Sequence, residues 1–509
     1  MTLPNRQMER PFRRRALTVV LTALFALSVL APAIPPANAQ PASSAQPLFS
    51  PAEGVRVDAG PLSLPSDGAF RMRVGVDINE PTSYLEVRLQ IHRPSGRLIF
   101  QRTEVHSNVD TGTVEVEFAR ELSDLDLRPD AYPYTVRVRT QATEVTERTA
   151  SGFLLVHAPR PEVTPVVVGA RISTAPRFDA QGNFVTDPAR STAAIEAAEA
   201  LSRAVLDDRA LKFALAISPV TLDEWGRIAH GYTLAEADAG LVEVAADEPG
   251  PIRYAAALKT LQEAIATGRL VLLDVGYGDP DPVALDGIGS VQDIAAHYTR
   301  GLSAYLATLE TTPSTGTAVA YDALPIGALD VLAERGHTSV MLAPESLGDG
   351  KTSSGGAFRI EGATVTGLVL DRDVCDALEG DDPSAAAFLL FRHAVSDRAK
   401  TPVITLTDLG PGRRGTAQDL LRFADFIRDA KWAEFALPSD ISPDSSVAPL
   451  SLTGSLESTP VAPAGYWEEA TNAQRYALAL QSATGAADPD ARSVVDAALI
   501  AQSARWAGP

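Results

Sequence analysis

The sequence predicts a multidomain chain: an immunoglobulin-like β-sandwich, then an α/β domain built as a seven-stranded parallel barrel, then a short helical segment. Three observations predict it. Period-two apolar strands fill residues 55–158, apolar strands alternate with amphipathic helices over 163–437, and two helical stretches occupy 466–509.

Residues 1–39 read as an export signal. Arg6, Arg10, Arg13, Arg14 and Arg15 form a basic start, Ala16–Leu30 an apolar core, and Ala37-Asn38-Ala39 a small-x-small cleavage site. The apolar core is short for a membrane span, so cleavage before Gln40 is expected. The arginine run hints at the twin-arginine route, but the rest of that motif is missing, which favours the general secretory route. Residues 40–54, rich in Pro, Ala and Ser, read as a disordered tether.

The full chain carries a formal charge of −20; the signal contributes five Arg and one Glu, a net +4, leaving −24 on the remainder. Such a surface repels phosphate backbones, which excludes nucleic acid as a partner. No stretch after the signal is long and apolar enough for a membrane span. The single cysteine, Cys375, allows no internal disulfide, so packed cores must hold the domains together.

In the sandwich region the expected strands are 71–78, 84–91, 97–101, 113–118, 134–140 and 153–157. Turn residues such as Pro94-Ser95-Gly96 and Asp110-Thr111-Gly112 separate them. Alternation in Val87-Arg88-Leu89-Gln90-Ile91 gives one buried and one wet face. Short strands at this spacing indicate an immunoglobulin-like sandwich. Leu127–Tyr132 resembles the turn-then-Tyr entry to a late strand of bacterial sandwich domains, with Asp130 where Gly is usual.

Beyond Pro159-Arg160-Pro161, apolar strands are expected at 165–170, 212–217, 270–275, 317–321, 339–343, 365–371 and 402–407. Helices are expected at 192–206, 253–267, 290–309, 326–334, 384–396 and 416–430. Tyr254, Leu258, Leu261 and Ile265 recur at helical spacing and form one buried stripe. Seven strands with crossover helices make a parallel barrel or an open doubly wound sheet. Neither a Gly-x-Gly-x-x-Gly turn after the first strand nor a Walker loop is present, which disfavours a nucleotide-binding sheet and favours the barrel. Residues 438–465 read as a Ser/Pro/Ala linker. The helical segment 466–509 breaks near Gly485, and it either packs back on the barrel or begins a further domain.

The barrel region, roughly 160–437, resembles uncharacterised exported actinobacterial proteins with a glycoside hydrolase/deacetylase-like (β/α) barrel. The resemblance lies in Ala216–Leu222, in Gly276–Leu285, close to a "Tyr-Ala-Asp-Pro-Asp" strand end, and in the helix–Gly336–strand order of Leu329–Leu342. It implies that fold and a cell-envelope location, without an established reaction. Relatives tend to carry a membrane anchor after the barrel; no apolar stretch of this sequence after residue 437 reads as one, so membrane tethering is not carried over as an expectation.

Deacetylases of that superfamily bind a metal through Asp and two His, with paired aspartates ending the first strand. Here that strand ends Gly169-Ala170-Arg171-Ile172-Ser173. The seven His (His92, His106, His157, His230, His297, His337 and His393) show no His-x-x-x-His spacing. Metal-dependent deacetylation is therefore disfavoured, no metal or other cofactor is expected, and His230 reads as a solvated loop residue.

Glycoside hydrolysis needs two facing carboxyls, one as nucleophile or base and one as acid. Strand ends supply Asp274, Asp279, Asp281, Asp322, Glu345, Asp371, Asp373 and Asp408. The candidate catalytic pairs are Asp279 with Asp408 and Glu345 with Asp371. Tyr277 and Trp225 are candidate stacking surfaces for sugar, with Asp281 and Asp322 as candidate substrate contacts. Each has a plainer reading. Asp-Pro-Asp-Pro is commonly a rigid turn feeding a helix, strand-to-helix loops favour Asp as an N-cap, and Trp is usually buried. Cys375, early in an expected helix, reads as packing.

The leading expectation is an exported cell-envelope protein that binds glycan or a wall-assembly protein through a barrel without deacetylase ligands. The alternative is a metal-independent glycoside hydrolase acting on an envelope polysaccharide. A third reading is a structural spacer that docks other envelope proteins.

Overall fold

The computed structural model describes residues 49–503, apart from 51, 59–62, 180, 189–190, 237–239, 314–315, 321–323, 348–354, 397–399, 446, 453–464 and 486–487. The expected signal, most of the tether and Asp322 lie outside the described residues.

The N-terminal body contains β1 (Phe49–Ser50), β2 (Val55–Asp58), β3 (Ser63–Pro65), β4 (Ala69–Ile78), β5 (Thr82–His92), β6 (Leu98–Val109), β7 (Gly112–Glu121), β8 (Asp130–Gln141) and β9 (Val145–His157). One sheet runs β1-β9-β8-β5-β6, with β3 added parallel to β9; the other runs β2-β4-β7. Alternation explains the layering. Phe70, Met72, Val74 and Val76 of β4 meet Leu85, Val87, Leu89 and Ile91 of β5 in one core, while intervening residues such as Arg71 and Arg73 face out. Tyr132 fixes the entry to β8: its hydroxyl donates to the Arg128 carbonyl at 2.8 Å and accepts from the Arg128 N–H at 3.0 Å. β1 pairs with β9 although its residues belong to the expected tether.

The second body starts with β10 (Thr164–Ile172), α1 (Ala193–Asp207), β11 (Phe213–Ile217) and α2 (Pro219–Ala229). A hairpin, β12 (Tyr232–Glu236) and β13 (Gly240–Val244), precedes α3 (Pro249–Ala266) and β14 (Leu270–Leu272). Then come α4 (Pro282–Gly287), α5 (Ile294–Leu309), β15 (Thr317–Ala320), α6 (Ile326–Glu334) and β16 (Ser339–Leu342). The body continues through β17 (Gly356–Arg359), β18 (Thr366–Val369), α7 (Arg372–Glu379), α8 (Pro383–Ala394), β19 (Val403–Asp408), α9 (Ala417–Asp429) and β20 (Ala433–Phe435).

Parallel pairing links β14-β11-β10-β19 in one sheet and β15-β16-β18 in another, with β17 antiparallel on the edge of the second. Two seams join them. Asp274 N–H donates to the Thr317 carbonyl and its carbonyl accepts from Val319, while Asp371 N–H donates to the Ile404 carbonyl at 2.8 Å. Seven parallel strands thus follow one another in a ring. Its inside is one apolar cluster to which every strand contributes: Val167, Ala214, Val271, Val319, Met341, Leu368 and Ile404. Alternate residues on the same strands, such as Val166, Leu215 and Leu270, face the surrounding helices. Gly169 permits the close approach of β10 to β19, because a Cβ there would lie 2.4 Å from the Thr405 carbonyl oxygen.

Two helices, α10 (Tyr466–Thr484) and α11 (Pro489–Ala501), fold back onto the ring. Ala477, Val494, Val495, Ala498 and Leu499 pack around Tyr277, Val220 and Ala304. The sandwich meets the ring through Phe153 against Phe388, ring centroids 4.5 Å apart, and through Trp432, whose indole N–H donates to Ser63 Oγ at 2.9 Å.

Candidate functional site

Ligand chemistry in α/β folds gathers at the carboxyl ends of the strands. On β10 the inward alternation runs Val167, Gly169, Arg171, so Arg171 closes the top of the interior stack. Its neighbour in register on β19 is Asp408. The loop after β14 brings Asp279 to the same arginine: Arg171 Nη2 lies 3.1 Å from Asp279 Oδ2, to which Ser173 Oγ also donates at 2.7 Å. Asp279 is held in the left-handed region, φ 51°. Asp408 accepts from Gly410 N–H at 2.8 Å and pairs with Arg413 at 3.4 Å. Two of the sequence-predicted carboxyls therefore stand next to Arg171, Asp279 through its side chain and Asp408 by strand register. A buried charge is tolerable only when paired and hydrogen-bonded, and Arg171 and Ser173 serve Asp279 Oδ2 in that way.

The space beside them is small. A cavity of about 50 Å³ is bounded by Arg171, Asp279, Pro280, Tyr298 and Leu324 among others. Ligand pockets ordinarily measure about 300–1,000 Å³.

The other candidates lie elsewhere. Asp371 is buried and caps α7, accepting from Val374 N–H at 3.2 Å. Glu345 is half exposed and pairs with Arg372. Asp281 caps α4 by accepting from Val283 and Ala284 N–H. Tyr277 and Trp225 were expected to offer stacking faces, and both are fully buried. Trp225 sits with Leu222 and Ile228 on the apolar side of α2, and Tyr277 lies under α11, so neither ring presents a surface to a ligand. Asp274 accepts from His337 Nε2 at 2.8 Å, while His337 Nδ1 donates to the Leu332 carbonyl, which ties the end of β14 to the turn before β16. Among the described residues no three His, Cys, Asp or Glu side chains converge as a metal site.

Several working residues escaped the sequence reading. Arg171 belongs to no motif of the deacetylase kind, which calls for aspartates at the end of the first strand. Its signal was a lone charge at an inward position of an apolar strand. Arg300 is buried on α5, bonded to Asp496 of α11 at 2.5 and 2.9 Å and to Asp223 of α2 at 2.8 Å. Glu224, fully buried on α2 against Arg177, has its carboxyl pushed up to about 7 by burial, with Arg177 opposing. His230, expected in a loop, is the C-cap of α2.

The strand ring, its covering helices and the separate sandwich define a multidomain α/β protein. No family profile matches the chain, and no curated protein matches it. Among solved structures it is similar to a GH57-type branching enzyme from Pyrococcus horikoshii, with 9% identity and a TM-score of 0.45 over 67% of this chain and 87% of that one. It is also similar to a 4-alpha-glucanotransferase from Thermococcus litoralis, with 11% identity and a TM-score of 0.37 over 63% of this chain and 45% of that one. Likeness to the C-terminal domain of Wzt is limited to 22% of this chain and 74% of that one, at 14% identity and a TM-score of 0.18. Scores this low carry no functional argument.

Proposed function

We propose that this chain is an exported cell-envelope protein whose strand ring is a glycoside hydrolase/deacetylase-like barrel that binds glycan or a wall-assembly protein without catalysis. One observation carries the reading. The best-placed carboxyls are engaged, Asp279 by Arg171 and Ser173 and Asp408 by Arg413 and Gly410, and the cavity that Asp279 lines has room for little more than water. A hydrolase needs one carboxyl free to protonate a leaving oxygen and another open to the sugar. Export rests on the basic, apolar and small-x-small pattern of residues 1–39. The Tyr132 bond back to Arg128 supports reading the sandwich as immunoglobulin-like.

The alternative, a metal-independent hydrolase, draws on the placement of both Asp279 and Asp408 next to Arg171. One assay separates the two. Incubated with purified wall glycan, the mature protein is expected to co-sediment with it and release no reducing ends. Release that disappears in Asp279→Asn would overturn the binding reading in favour of the enzyme.

A further inference from the structure

If the ring mouth is closed, a glycan must be held elsewhere, and the outer face of α2 offers the space. A solvent-open cleft of about 440 Å³ is lined by Asp223, Arg227, His230, Thr233 and Thr308, with glycine backbone at Gly226 and Gly231. This volume lies within the ordinary range for ligand pockets, about 300–1,000 Å³.

The cleft is assembled with some care. Asp223, Arg227 and His230 lie at i, i+4 and i+7, so one face of α2 presents all three over about 10 Å. Gly226 lets α2 approach α5 closely, since a Cβ there would meet Thr308 Oγ1 at 2.9 Å. Gly182, at φ 85°, leaves room for the Arg227 guanidinium, which lies over the Phe178 ring at 4.7 Å. Its polar atoms are aimed and partly unused. His230 Nδ1 donates to the Gly226 carbonyl at 2.7 Å, which makes the outward Nε2 of the neutral ring an acceptor. All three bonds that Asp223 receives, from Arg227, Arg300 and the Tyr277 hydroxyl, end on Oδ2. Its Oδ1 has no hydrogen-bond partner among the described residues.

We infer that this cleft is a binding site for a neutral saccharide unit, an inference that rests on the glycan-binding reading above and gives it a location. A half-buried carboxylate oxygen and an imidazole nitrogen accept from sugar hydroxyls, while Arg227 and the Thr233 hydroxyl donate to them. An anionic ligand would meet the Asp223 carboxylate on a chain that is already strongly acidic.

The test is calorimetric titration of the mature full-length protein with maltotetraose, chitotetraose and an anionic hyaluronan tetrasaccharide. Saturable binding of at least one neutral tetrasaccharide is expected, weakened at least tenfold in both His230→Ala and Thr233→Val and accompanied by hydrogen-exchange protection across 223–233. These two side chains are exposed or half-exposed, so unchanged thermal melts are expected to accompany the loss. Binding that survives both substitutions would overturn the cleft and leave the binding reading standing. No binding by any of the three sugars would overturn the cleft as a saccharide site, with co-sedimentation on wall glycan deciding the binding reading separately, and preference for the anionic sugar would overturn the neutral class.

Discussion

Arg171 is the residue on which the top of the ring depends. Its side chain is 11% exposed and that of its partner Asp279 5%. Removing one member of a buried pair costs about 3–5 kcal/mol, because the other is left charged without water. Arg171→Met is therefore expected to lower the urea-unfolding free energy by that amount, and Arg171→Met with Asp279→Asn, which removes the charge and tolerates the positive φ, to recover much of it. A single substitution with no measurable cost would remove the pair from this role. At this scale the sequence was partly legible. Strand-end aspartates could be read from the apolar runs that precede them, which is how Asp279 and Asp408 were found. Whether each is a cap, a turn former or an ion-pair partner depends on groups far away in the chain, so Asp281, Asp371 and Asp279 looked alike. Trp225 and Tyr277 could be recognised as aromatic, but not as inward-facing, because the helix at 219–229 and the covering helices had not been placed around them.

Among elements, the α10–α11 hairpin has the most particular attachment. Besides the Arg300–Asp496 pair, Arg475 reaches Asp293 at 3.1 Å, and His297 holds Gln502 at 2.8 Å through Nε2 and the Tyr277 carbonyl at 2.5 Å through Nδ1. Burial keeps the His297 pKa below its usual 6.5, so the docked state holds the ring neutral. A base with a depressed pKa stabilises the fold above pH 6.5, and that contribution is lost as the pH falls through the lower, folded value. Hydrogen exchange in 466–501, corrected for its intrinsic pH dependence, should therefore rise on acidification from pH 7 to 5. Asp496→Ala should raise it already at pH 7, and no change in either experiment would show that the apolar contacts suffice. The periodic strands and long helices were visible beforehand, since alternation and 3.6-residue spacing are local properties. The β12–β13 hairpin was not, because β13 is exposed along most of its length and carries little apolar contrast. The helix expected around Cys375 is α7, and Gly380-Asp381-Asp382 separates it from α8, which covers most of the helix expected at 384–396.

For the whole molecule, the sandwich and the ring are not beads on a string. Ala131 and Leu155 of the sandwich belong to the same buried cluster as Phe391 and Trp432 of the ring, and Phe153 stacks on Phe388. A shared apolar interface couples unfolding of the two bodies. Phe388→Ala is expected to cost about 3–5 kcal/mol if its site cannot collapse, at the low end because Phe388 is only partly buried. It should also broaden or split the calorimetric transition, whereas a single sharp peak would mean that the remaining contacts keep the bodies together. The order of the two bodies was readable from the switch in hydrophobic period near residue 160. Their contact was not, because the residues that make it read as ordinary core positions of their own bodies.

The loop carrying Asp279 is stitched to Gln502 and Ser503 by backbone, through the Asp281 N–H to the Gln502 carbonyl and the bridge between Pro280 and Ser503. Its neighbour His297 finds its side-chain partner 205 residues further along. A contact that spans so much chain closes a long loop in the entropic sense and forms late. The seven strands can gather first, but this corner stays unfinished until Gln502 and Ser503 have been made.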